Sequence, residues 1–186
     1  MKYLLLLGLM CTAISHAEEE ALAKDKLIQF DGSESEPKWL AENDGVMGGV
    51  SKGGPELKYG SLHFSGVLSL ENDGGFSSAQ ADMKYDFSGK SGIVVRVKGD
   101  GRTYQFRLAT DARYRGSEIS YWAEFETKKG EWVEVKIPFG EFSPSHHGRQ
   151  LDGPPLDVSK IEQVRFLIGD GKAGPFSMEV DWVDVE

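Results

Sequence analysis

Beyond about Trp39 the chain alternates apolar and polar side chains with a period of two, in short runs that glycine, asparagine, aspartate or proline repeatedly cut off. Leu62, Phe64 and Gly66 alternate with His63, Ser65 and Val67; Ile93, Val95 and Val97 with Val94, Arg96 and Lys98; Tyr104, Phe106 and Leu108 with Thr103, Gln105 and Arg107. Later runs cover 119–126, 132–139, 164–169 and 176–185. A strand turns successive side chains to opposite faces, so each run offers one face to a core and one to something else. Only 17–27 and 158–162 have room for a helical turn or two. About eight to ten short strands without helical crossovers predict an all-β protein, an antiparallel sandwich or jelly roll, and argue against a parallel sheet. With 23 Gly and 7 Pro in 186 residues the chain is too turn-rich for a helical bundle, yet 39% hydrophobic residues suffice for one ordinary core.

One pairing can be taken to its register. The run 119–126 turns Ile119, Tyr121, Ala123 and Phe125 to one side, and the next turns Val133, Val135 and Ile137. A hairpin with Phe125 opposite Val133 and a loop at Lys128-Lys129-Gly130 keeps both sets together. Its other face carries Trp122, Trp132 and Glu124, and Gln105 and Arg107 join them if their strand pairs alongside. These five residues form the candidate binding face.

The 30 acids outnumber the 21 Lys and Arg, giving a formal charge of -9 that would repel a phosphate backbone, so nucleic acid is excluded as a partner. At the amino end Lys2, an apolar run over 3–14 and Ser15-His16-Ala17 have the layout of a secretory signal peptide over residues 1–17. A polar segment over 18–29 and a single domain over 30–186 follow. On this reading the protein is secreted or periplasmic and keeps no stable membrane anchor after cleavage. The single cysteine, Cys11, lies in the cleaved part, leaving no thiol for a disulfide, a nucleophile or a zinc site.

Three enzyme-like patterns fail in context. Gly49-Val50-Ser51-Lys52-Gly53 fits a nucleophile elbow, but Gly53-Gly54-Pro55 forbids the helix that the elbow needs. Gly169-Asp170-Gly171-Lys172-Ala173-Gly174 fits a dinucleotide fingerprint, but a strand-like run follows it, which makes it a hairpin loop. His146 and His147 are adjacent and lack further ligands of the right kind, so no metal is assigned. No catalytic residue and no cofactor are expected, and the protein is read as a non-enzyme.

The segment from Trp39 through Asn43-Asp44-Gly45-Val46-Met47-Gly48-Gly49-Val50 to Ser51 resembles the signature of the complex I intermediate-associated protein 30 family. The block over 64–78, with Asn72, Gly74, Gly75 and Phe76, resembles a second block of that family, and further ordered matches run on to Trp182. The resemblance implies a galactose-binding-like jelly roll, a fold shared with some carbohydrate-binding modules. It also implies a non-catalytic, chaperone-like role, since mitochondrial members help to assemble respiratory complex I. In the motif loops the glycines allow tight turns, while Asn43, Asp44 and Asn72 can bond the backbone those turns expose. The expected partner is another protein, with an exported carbohydrate-binding module as the alternative.

Overall fold

The computed structural model describes residues 26–32 and 36–186. The expected signal segment, Cys11 and most of the polar segment lie outside the described residues. Thirteen strands occur among the described residues: β1 (Ile28–Gln29), β2 (Leu40–Asn43), β3 (Lys52–Lys58), β4 (Ser61–Leu68), β5 (Ser77–Tyr85), β6 (Gly92–Lys98), β7 (Thr103–Tyr114), β8 (Ser117–Glu126), β9 (Trp132–Pro138), β10 (Ser143–His146), β11 (Arg149–Gln150), β12 (Ile161–Ile168) and β13 (Gly174–Val185). They make two antiparallel sheets packed face to face as a jelly-roll sandwich. One sheet runs β3-β4-β13-β6-β9, with β1 also paired to β13; the other runs β11-β10-β8-β7-β12-β5-β2.

The alternation explains the layers. Inward positions of both sheets are buried: Leu62 and Phe64 on β4, Val95 and Val97 on β6, Tyr104 and Phe106 on β7, Val164 and Phe166 on β12. Aromatic rings join the layers. Phe64 of the smaller sheet meets Tyr104 of the larger at 6.3 Å between centroids, and Phe166 packs against Phe106 at 5.2 Å and Trp39 at 5.7 Å. Edge-to-face and offset contacts of this kind add to the area they bury. Buried Tyr104 keeps a partner for its hydroxyl, which donates to Asp100 Oδ2 at 3.2 Å.

Three sequence expectations change. β8 and β9 do not form a hairpin. Phe125 lies opposite Tyr104 and Trp122 opposite Arg107, whereas Val133 lies opposite Val97 and Trp132 opposite Lys98 in the other sheet. The physical reason is that both inner faces look into one core, so matching apolar sets cannot tell strands bonded side by side from strands facing each other across the sandwich. The sheet also begins inside the segment expected to be polar: Ile28 is buried and pairs with Val183, two residues before the assigned domain start at residue 30. Finally, Gly53-Gly54-Pro55, which falls in none of the runs counted as strands, lies within β3, where Pro55 is tolerated because β3 is an edge strand. The helical turn expected at 158–162 is a short 3₁₀ turn, Val158–Lys160.

Because Phe166 is fully buried among Trp39, Phe106 and Phe125, Phe166→Ala should cost about 3–5 kcal/mol of unfolding free energy. Urea unfolding followed by tryptophan fluorescence measures it, and a loss under about 1 kcal/mol would contradict the shared core described above.

Candidate functional site

The signature segment leaves β2, makes a 3₁₀ turn over Asp44–Met47 and enters β3. It thereby crosses from the larger sheet to the smaller one. The second motif block, between β4 and β5, crosses back. Asp44 ties the two crossings together. Its side chain is fully buried; Oδ1 accepts from Ser51 N at 2.9 Å, and Oδ2 accepts from Ser51 Oγ at 2.5 Å, Gly75 N at 2.6 Å and Phe76 N at 3.4 Å. Burial by itself would raise the Asp44 pKa, but the Ser51 hydroxyl and the N–H groups of Gly75, Ser51 and Phe76 outweigh it and hold the carboxyl below its ordinary 3.8.

The neighbouring glycines are there for space. A Cβ on Gly49 would lie 2.3 Å from Asp44 Cγ, and one on Gly74 would lie 2.6 Å from Asp44 Oδ2. Asn72 Nδ2 donates to Gly48 O at 3.1 Å, and Asn43 Nδ2 donates to Gly53 O at 3.0 Å, so both asparagines bond the loop backbone. Trp39 belongs to the core, stacked on Phe166. Ser51 Oγ, besides donating to Asp44, accepts from Ser69 N at 2.9 Å, so the hydroxyl of the elbow-like motif is tied inside the loop.

The turn holds Val46 and Met47 outward, 70% and 63% exposed. They overhang a cleft of about 630 Å³ on the outer face of the larger sheet. Phe76 and Leu167 continue its apolar side, while Gln105, Arg107, Arg165, Glu42, Glu118 and Ser120 supply its polar part. Of the candidate face, Gln105 and Arg107 line this cleft. Glu124 lies beside it in a polar dimple of about 190 Å³, where Gln105 Nε2 donates to Glu124 Oε1 at 3.4 Å. Trp122 is half-buried between β7 and β10, opposite Arg107 and Ser143, and is not among the lining residues.

Trp132 departs from the expected face altogether. It sits on β9 at the edge of the smaller sheet, with Lys98 Nζ 5.0 Å and Arg96 Cζ 5.7 Å from its ring. Those cations pair with Glu179 at 2.7 Å and Asp181 at 3.0 Å, and Lys26 pairs with Asp184 at 2.9 Å on the same strand β13. That outer face therefore carries its own counter-charges. Arg165, Glu42 and Glu118 were missing from the sequence reading of the cleft. The available signal was the lone cation between Val164 and Phe166, which mirrors Arg107 between Phe106 and Leu108.

The Gly169–Gly174 loop is not the hairpin expected from the sequence: it carries the chain from β12 in the larger sheet to β13 in the smaller one, and Asp170 within it takes a forked pair from Arg102, Nε at 3.0 Å and Nη2 at 2.5 Å. That loop is a structural clamp.

Comparison with known proteins adds to this geometry. The family model for complex I intermediate-associated protein 30 matches residues 28–180. A mouse protein named complex I intermediate-associated protein 30, mitochondrial, is 29% identical over 181 residues, covering 84% of this chain and 54% of its own length. A Drosophila melanogaster protein of the same name is 26% identical over 134 residues, covering 69% of this chain and 45% of its own. The chain thus spans about half the length of the curated relatives it matches. Among solved structures, a family 11 carbohydrate-binding module from Clostridium thermocellum, in complex with a mixed-linked tetrasaccharide, superposes with a TM-score of 0.64 at 17% identity. The match covers 85% of this chain and 94% of the module, and shows the shared fold. The relatives' mitochondrial names overturn the secreted or periplasmic placement and the secretory reading of the amino end. A lone cation, an apolar run and small residues describe a leader's polarity without specifying its destination.

Asp44→Asn removes the charge that four donors converge on and should lower the unfolding free energy by about 2 kcal/mol at pH 7. A depressed folded pKa contributes stability that is fully present above 3.8 and is lost as pH falls through the lower folded value, so parent and variant should converge in that window. Urea midpoints measured from neutral to acid pH check both points; equal midpoints at pH 7 would contradict them.

Proposed function

The chain belongs to the complex I intermediate-associated protein 30 family, and from that premise we propose that it is a non-catalytic factor that holds another polypeptide in the cleft of the larger sheet during assembly of respiratory complex I. The supporting observation is the placement of the signature segment. A buried carboxylate and two glycines without room for a side chain hold Val46 and Met47 in solvent above a preformed cleft. Two large apolar side chains on a pinned turn gain free energy only when something covers them. A partner polypeptide, which brings its own apolar side chains, suits that rim.

The carbohydrate alternative ranks lower. A sugar ring needs an aromatic platform, and the aromatic side chains lining this cleft are Phe76 and His147. The two tryptophans expected to supply the platform are half-buried beside it and stacked under cations on the opposite sheet. Names of the relatives direct the search for a partner to mitochondrial respiratory membranes.

The test is capture of complex I subunits from detergent-solubilised respiratory membranes by the immobilised chain, with subunits identified by mass spectrometry. The pair of changes Val46→Ser and Met47→Ser should reduce capture at least about tenfold, a difference of about 1.4 kcal/mol. Because both side chains are exposed, the melting temperature should stay close to the parent's. Undiminished capture by the pair, or saturable binding to a glycan array with no subunit retained, would reverse the assignment.

A further inference from the structure

The floor of the cleft holds a charge that the described residues leave without an opposite. Arg107 on β7 and Arg165 on β12 are cross-strand partners on the outer face, an arrangement that opposes folding when both are cations. Only one of them is compensated. Arg165 Nη2 lies 3.4 Å from Glu42 Oε2 on the edge strand β2 and donates to Gln163 Oε1 at 2.9 Å.

Arg107 bonds neutral oxygens alone: Nε and Nη2 donate to Gln105 Oε1 at 3.0 and 2.6 Å, and Nη1 to Ser120 Oγ at 3.5 Å. Burial, and after it the charge of Arg165, pulls the Arg107 pKa down to about 10, which leaves the guanidinium charged at neutral pH. The remaining acid lining the cleft, Glu118, is exposed on β8; the cations whose charge acts on it are Arg165 and Arg113, and it makes no ion pair with Arg107. Elsewhere the chain supplies acids to its half-buried cations: Glu179 to Lys98, Asp181 to Arg96, Asp170 to Arg102 and Asp184 to Lys26. Among the described residues the omission at Arg107 coincides with the floor of the cleft.

We propose that Arg107 is the anchor for one carboxylate of a bound polypeptide, an aspartate or glutamate side chain or a chain terminus flanked by apolar residues. This deepens the protein-binding reading of the cleft and rests on it. Charge counting favours a single negative charge over a phosphate, because Glu42 already answers Arg165 and one cation is left over. The rim favours a peptide over a uronic acid, because Val46, Met47, Phe76 and Leu167 cover apolar neighbours and would strand sugar hydroxyls. Gln105 acts as a placeholder: an arriving carboxylate takes the guanidinium fork in place of its amide oxygen, and the amide already reaches toward Glu124.

The test uses two terminally blocked peptides that are identical apart from one glutamate or glutamine between valines, together with a glucuronate disaccharide. Titrated into ¹⁵N-labelled protein, the glutamate peptide should move the Arg107 Nε–Hε resonance and the glutamine peptide should not, a readout that needs no variant. Calorimetry should show the glutamate peptide binding at least about tenfold more tightly than its twin. Arg107→Gln should erase the preference and Arg107→Lys restore part of it. Equal binding of the twins to the parent, a preference that survives Arg107→Gln, or glucuronate binding as tightly as the glutamate peptide would each overturn the anchor. If Arg107→Gln captures complex I subunits as well as the parent does, the anchor falls and the assembly reading stands. If the peptide preference holds while the parent captures no subunit, the anchor stands and the assembly reading falls.

Discussion

Two of the strand crossings at one end of this sandwich hang from the carboxylate of Asp44. A β-sandwich is held by its apolar inner faces, which are non-directional and tolerate sliding. Directional bonds at the crossings are what fix one sheet relative to the other there. Burying a carboxylate is costly unless its oxygens are met by donors, and the loop meets them with a hydroxyl and three backbone N–H groups. Gly49 and Gly74 follow from that choice, because a side chain at either position would collide with the buried group. The exposed turn carrying Val46 and Met47 is thus anchored to a buried, fully bonded carboxylate.

The two outer faces of the sandwich have opposite electrostatic characters. On the smaller sheet, β13 lays Glu179, Asp181 and Asp184 against Lys98, Arg96 and Lys26, and the indoles of Trp132 and Trp182 lie under those cations. Ion pairs in contact with solvent contribute little stability, but each of these three cations has its acid within the face. On the larger sheet two arginines face each other across strands within a cleft, and of the two only Arg165 has a carboxylate at ion-pair distance. The asymmetry between the two faces is electrostatic as much as geometric.

How much of this was legible in the sequence depends on the reach of a period of two. Alternation marks Tyr104, Phe106 and Leu108 as inward and Gln105 and Arg107 as outward without reference to any neighbour, and those placements hold. Sheet membership needs a second strand, and the pattern carries no record of which. Trp132 was accordingly assigned beside Trp122, although β9 pairs with β6 in the other layer. β3 escaped notice because Gly53-Gly54-Pro55 has turn chemistry, and only its position at a sheet edge lets those residues stay extended. Arg165 went unremarked as one cation in an apolar run, since nothing local shows that β12 lies between β7 and β5 and brings it against Arg107.

The position of β13 has a consequence for synthesis. This strand, made after every other in the sandwich, runs through the middle of its sheet and is the hydrogen-bonded neighbour of β1, β4 and β6. Until residues 174–185 leave the ribosome, β4 and β6 have nothing between them, and Ile28 has no strand to pair with. The nascent chain therefore carries unpaired strand edges and an uncovered apolar layer until the last strand of the sandwich is made.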